Sequence, residues 1–156
     1  MGYFSEALSE DDLLQFGFQR GCNKGQQTWE ALAALVALRL WRPLWKDRRI
    51  QLAVRTDNMT VASMVGRLKA GSPGLRLIAA EMALDLAASC YMPSVVEHTP
   101  GIQHVIADAL SRTFDPEHSG EELPAALQGA SRCIPPRRGE EFYLSLRTPD
   151  DASSRW

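Results

Sequence analysis

The stretch from Gln26 to Trp41 constrains the fold more than any other part of the chain. It is rich in Ala and Leu, which favour helix, and Pro43 stops it. Apolar residues cover most of the helical circumference instead of one stripe, so the spacing predicts a buried helix packed on a sheet. Ile50 to Asp57 then alternates, with Ile50, Leu52, Val54 and Thr56 opposite Gln51, Ala53, Arg55 and Asp57, the two-residue period of a strand. Asn58 is placed to cap a helix running through Leu68. The turn Gly71-Ser72-Pro73-Gly74 separates it from a further helix with Leu75, Ile78, Met82 and Leu86 on one side. Pro93 to His98 reads as a short strand, Thr99-Pro100-Gly101 as a loop, and Gln103 to Arg112 as a last helix. Helices and strands alternate, so the fold class is α/β, with part of the sheet parallel.

The flanks carry weaker patterns. Gly2 to Leu8 reads as one strand, and Ser9 to Gly25, with its Asp, Gly, Gln and Asn, as a connection. After Thr113 come Pro116, Pro124, Pro135, Pro136 and Pro149 among Gly and acidic residues. Such a segment is expected to pack little against a domain, with one helical turn near Ala125 to Leu127 and an extended piece at Glu141 to Leu146. The expected organisation is residues 1–25 as edge strand and connection, 26–113 as the domain, and 114–156 as a Pro/acidic linker or tail.

With 156 residues, 45% of them hydrophobic, the chain can bury one core but not two. The longest apolar run, Ala31 to Leu38, falls well short of the roughly 18 residues of a membrane span. Met1 to Asp12 has neither the basic start nor the apolar stretch of a leader. A soluble, intracellular protein of cytoplasm or nucleus is the expectation, without membrane association. The cysteines Cys22, Cys90 and Cys133 are far apart and form no metal-binding pair, so free or buried thiols are expected, not zinc. The net charge of -2 hides a central segment, residues 25–112, of +3. That mild basic bias is compatible with a phosphate-backbone ligand.

Three acids stand where a buried domain does not ordinarily place them: Glu30 early in the most apolar helix, Asp57 at a strand-to-helix turn, and Asp108 inside Val105 to Leu110. Each has a local explanation. Glu30 complements a helix N-terminus, Asp57 assists the cap, and Asp108 pairs with Arg112 one turn on. Together they suggest more, because a helix preceding a strand runs antiparallel to it. Glu30 and Asp57 are then expected to meet at the end of the sheet where open α/β folds bind ligands. Clustered carboxylates of this kind suit Mg²⁺ or Mn²⁺.

The segments Thr28-Trp29-Glu30, Arg55-Thr56-Asp57-Asn58, His98-Thr99-Pro100-Gly101 and Ala107-Asp108-Ala109-Leu110-Ser111-Arg112 resemble, in order, the ribonuclease H domain of long-terminal-repeat retroelement reverse transcriptase polyproteins. The last two are the most specific, and the resemblance covers a little over half of the chain. It implies a ribonuclease H-like three-layer fold with a mixed sheet. It also implies that Glu30, Asp57 and Asp108 bind two divalent ions, Mg²⁺ or Mn²⁺, and that His98 is the mobile catalytic histidine. His104 stands where the family usually has Asn. The family's first aspartate, on the opening strand, has no counterpart here, so the expectation is a domain missing its first strands, with residues 1–25 as their remnant.

The implied activity is hydrolysis of the RNA strand of an RNA-DNA hybrid by two metal ions about 4 Å apart. Asn58 and Gln26, beside two of the ligands, are candidates for nucleic-acid contacts. The implied partners are the hybrid and the upstream polymerase part of the same polyprotein. With the first aspartate absent, impaired activity is expected. The alternative is a catalytically inactive remnant acting at most as a weak nucleic-acid-binding or interaction module. The basic group Arg39, Arg42, Lys46, Arg48 and Arg49 is read as a solvated loop, since it precedes by roughly 23 Å of strand the end that carries Asp57. Trp29, Trp41 and Trp45 are read as core and not as base-stacking platforms.

Overall fold

The computed structural model describes residues 2–90, 92–98, 105–118, 122–139 and 141–146. The chain is α/β, as its alternation predicts. In order it forms β1 (Gly2–Tyr3), α1 (Glu10–Phe16), α2 (Gln26–Leu40), α3 (Arg42–Trp45), β2 (Gln51–Thr56), α4 (Met59–Arg67), α5 (Pro73–Ala87), β3 (Met92–His98), α6 (Val105–Ser111) and β4 (Ser131–Arg132). Short 3-10 turns lie at Asn23–Gly25, Pro116–His118, Ala125–Leu127 and Leu144–Leu146. Among the described residues the strands form two parallel pairs, β2 with β3 and β1 with β4. No helix among them is long and apolar enough to cross a membrane.

The core confirms the reading of the central segment. Ala31, Leu32, Leu35 and Val36 of α2 meet Val61, Met64 and Val65 of α4 and Leu75, Ile78, Ala79 and Met82 of α5. Each fully buried aliphatic side chain of this kind contributes about 1.5–3 kcal/mol. Leu52 and Val54 of β2 pack partly buried against this cluster, as do Trp29 and Trp45. A side chain at Gly74, at the start of α5, would meet Thr28 and Phe16 within about 3 Å, so the absence of a Cβ there permits the close approach of α1, α2 and α5.

The flanks differ from expectation. The strand anticipated over Gly2–Leu8 shrinks to Gly2–Tyr3, because no alternation sustains it, and its partner is the distant Ser131–Arg132. The anticipated connection contains α1, which begins with a capping box. Ser9 Oγ accepts from Asp12 N at 3.1 Å and Asp12 Oδ2 accepts from Ser9 N at 2.9 Å. Gly17 ends this helix in the left-handed region at φ 67°.

Part of the tail also packs into the domain, against expectation. Leu127, Arg138, Phe142 and Tyr143 are all buried, and the piece anticipated as extended turns into a 3-10 helix at Leu144–Leu146. Proline content argued for a linker, but aromatic and charged anchors overcome it. Arg138 donates to both oxygens of the fully buried Asp12 at 2.7 Å and pairs with Glu6. Tyr143 stacks edge-on against Phe16 at 5.9 Å.

Arg39 is the other correction. It is no solvated loop cation: its side chain is only 11% exposed, and it donates to Glu81 at 2.6 Å and Asp85 at 2.7 Å on the facing turn of α5. It also donates to the Phe142 carbonyl and lies 4.5 Å from the Phe142 ring. Glu81, with no exposure, in turn accepts from the backbone N–H groups of Leu144 at 2.9 Å and Ser145 at 2.6 Å. One cation thereby joins α2, α5 and the tail.

Replacing Arg39 by Met strands two buried carboxylates, so Arg39→Met is expected to destabilise the fold by about 3–5 kcal/mol. Chemical denaturation measures this, and a loss below about 1 kcal/mol would mean that the triad is not a buried unit.

The same triad sets an acid limit. Burial pushes the Glu81 carboxyl up, but donation from Ser145, Arg39 and the Leu144 and Ser145 backbone outweighs it and holds the group below its ordinary value of 4.5. A depressed carboxyl contributes stability that is present above its unfolded-state value and is lost as pH falls through its folded one. The melting temperature is therefore expected to fall with acidification below about pH 4.5. Glu81→Gln should flatten that acid slope, and an unchanged slope in the variant would remove Glu81 as its source.

Candidate functional site

The parallel pairing of β2 with β3 sets Thr56 opposite His98. Asp57 follows Thr56 directly, so Asp57 and His98, far apart in sequence, stand at the same end of the pair. This is the C-terminal end of the strands, where ligands bind in open α/β sheets. Asp57 is exposed there. The His98 side chain and the whole of residues 99–104, which include His104 and most of the His-Thr-Pro-Gly segment, lie outside the described residues.

Asn58 is half-buried and occupied with the helix it begins. Its Oδ1 accepts from Thr60 N at 2.9 Å and Val61 N at 3.2 Å, two donors that the first turn of α4 would otherwise leave orphaned. The cap read from sequence is present, and it leaves only the amide NH₂ for an outside contact. Gln26 is the first residue of α2 and is exposed.

Glu30 lies one turn further into α2 and is half-buried. Its Oε2 is buried and has no hydrogen-bond partner among the described residues. An ionised carboxylate only accepts, so such an oxygen lacks a donor or a cation. Desolvating it without either is unfavourable by about 1–3 kcal/mol or more.

Asp108 is exposed on α6 and gripped by Arg112, whose Nε lies 3.2 Å from Oδ1 and Nη2 3.0 Å from Oδ2. This is the one-turn pairing its spacing anticipated. Helix α6 is tied to the N-terminal segment through Ser5 Oγ, which donates to the Leu110 carbonyl at 2.8 Å. Among the described residues no group of three or more His, Cys, Asp or Glu is arranged to hold a metal ion. Glu30, Asp57 and Asp108 are thus not gathered into one ligand cluster. By chemistry the donors fit a hard divalent cation, Glu30 best of all, whereas a metal at Asp108 would compete with Arg112.

Sequence reasoning passed over the charges that are most buried: Arg39, Glu81, Asp85, Asp12 and Arg138. The signal was available. Glu81 and Asp85 interrupt an apolar helix one turn apart, as Asp108 interrupts its own. Ser9 and Asp12 have the spacing of a capping box. All three cysteines are free, as expected.

In a chelating buffer, Glu30→Met removes the partnerless oxygen and keeps the side-chain volume. It is expected to stabilise the fold by about 1 kcal/mol. Thermal unfolding reads this directly, and a net loss of stability would show that the oxygen is satisfied in solution.

Comparisons of the chain with protein-family models, with curated proteins and with solved structures found no match.

Proposed function

We propose that this chain is a ribonuclease H-like domain of a retroelement polyprotein, with a three-layer fold, acting on the RNA strand of RNA-DNA hybrids. The observation that carries the reading is the register of β2 and β3. It brings Asp57 and His98, which two separate family-like motifs single out, to one end of a parallel pair. The partnerless Oε2 of Glu30 adds a hard-oxygen donor of the type the reading needs. In this proposal Glu30, Asp57 and Asp108 would be drawn together around Mg²⁺ or Mn²⁺, with Arg112 released from Asp108, and the ion would supply Lewis acidity to activate water and to neutralise the leaving 3'-oxygen. His98 moves a proton or eases product departure, and Gln26 and the Asn58 amide contact the nucleic-acid backbone. The 2'-hydroxyls of the RNA strand distinguish hybrid from duplex DNA. The upstream polymerase part of the same polyprotein is the proposed second partner.

A second reading, a domain of the same kind that no longer cleaves, is favoured by one contact: the Arg112 fork on Asp108 neutralises a carboxylate the reaction needs. The motifs match three carboxylates of the family's four, so weak metal binding without turnover is expected of this chain by itself. Purified protein should bind Mn²⁺ weakly, lose that binding in Asp57→Asn and in Glu30→Gln, and leave a labelled RNA-DNA hybrid uncut. Metal-dependent cleavage abolished by Asp57→Asn would show that another residue of the chain supplies the fourth carboxylate. Mn²⁺ binding indifferent to both substitutions would overturn the reading.

A further inference from the structure

We propose that the cleft between β1, α6 and the tail binds a phosphate group, either as inorganic phosphate or as a small phosphate monoester. The cleft encloses about 260 Å³, and its wall includes Arg112, Arg132, His118, Glu122, Tyr3 and Leu123. It is separate from Glu30 and Asp57, and it shares with the nuclease reading only Arg112, which holds Asp108.

Two guanidinium groups converge there beside the His118 imidazole, each held by a contact of its own. Arg132 Nη2 donates to the Ser5 carbonyl at 2.9 Å, which leaves its Nε and Nη1 without partners among the described residues. Arg112 uses Nε and Nη2 on Asp108, and its Nη1 stands 3.5 Å from His118 Nε2. His118 is held by Asp115, whose Oδ2 lies 3.1 Å from Nδ1. Neither Asp108 nor Asp115 belongs to the cleft wall. These carboxylates orient Arg112 and His118 and offset much of their charge, so Arg132 is the principal cation of the wall, opposite the carboxylate of Glu122.

Planar guanidinium groups with spare N–H donors match the oxygens of a phosphate better than an ammonium would. The hydroxyl of Thr113, also in the wall, adds a neutral donor. Volume limits the rest of the ligand. The cleft lies just below the usual range of small-molecule sites, about 300–1,000 Å³, so it suits phosphate or a compact ester and not a polymer. Tyr3 and Leu123 offer the apolar surface an organic substituent would contact.

The test is a proton NMR titration of the full chain with sodium phosphate and with adenosine monophosphate, each against sodium chloride of equal ionic strength. The chain has only three histidines, and His118→Gln identifies the His118 ring signal. A saturable shift of that signal is expected with at least one of the two phosphates and not with chloride. Tighter binding of the nucleotide assigns the ester, and equal binding assigns inorganic phosphate. Arg132→Gln should weaken binding roughly tenfold, the loss of about one charge-assisted hydrogen bond. Arg137→Gln, at an exposed position outside the wall, should leave it unchanged. Because Arg132 also holds Ser5, Arg132→Lys serves as the variant that keeps charge and loses the fork, with an intermediate affinity expected. No saturable shift in the unmodified chain, or an affinity unchanged in folded Arg132→Gln, overturns the proposal.

Discussion

Arg39 lies in the last turn of α2, and taking its charge out of water is tolerable only because Glu81 and Asp85 receive it. An unpaired ion at that depth would be strongly destabilising, whereas the paired triad contributes less to stability than to geometry. Apolar side chains alone would let α2 and α5 pack in neighbouring registers with little change in free energy. A guanidinium between two carboxylates one helical turn apart accepts one arrangement, since its donors form a rigid fork. The remaining acceptor positions of Glu81 then face the tail. Leu144 and Ser145 fill them with backbone N–H groups, and Phe142 lies over Arg39 itself.

The second buried ion pair repeats this logic at the other end of the chain. Asp12 is fully buried at the start of α1, and Arg138 of the tail donates to each of its carboxylate oxygens. Burial pushes Asp12 up, but Arg138 and Ser9 outweigh this and hold it below its ordinary value. Tyr143 lies between the two networks, and burial followed by the field of Asp12 pushes its hydroxyl up. Both flanks, which have little periodicity of their own, are ordered by charges they send into the core and by the aromatic contacts between Phe16, Trp29 and Tyr143.

The candidate site shows the opposite economy. Where the triad and the Asp12 pair are held by several donors, Glu30 keeps a buried oxygen without a donor among the described residues. Buried unsatisfied groups are uncommon in folded chains, and each calls for a physical explanation. Asp108 departs from this, because Arg112 already satisfies it. Arg112 thereby stands between two roles, facing the proposed phosphate cleft with one nitrogen and holding a candidate ligand with the others.

The central elements were legible in the sequence because their causes are local. Alternation over Ile50 to Asp57 produces β2, Asn58 caps α4 through its own side chain, and Leu75, Ile78 and Met82 recur at helical spacing and are buried. The pairing of acids with bases was not legible. Arg39 meets Glu81 and Asp85 across 42 and 46 positions, and Arg138 meets Asp12 across 126. Composition assigned Arg39 to a solvated loop and the tail to a linker, since Pro, Gly and acidic residues ordinarily bury too little surface to order a segment. Tertiary structure reversed the first assignment, and the second for the tail residues around Arg138, Phe142 and Tyr143, because a few long-range hydrogen bonds to buried carboxylates outweigh what average composition suggests. The sequence by itself determined which helices and strands exist and which acids are out of place. Only the folded chain decided which of those acids are satisfied, because that depends on which distant donor the packing brings within hydrogen-bond reach.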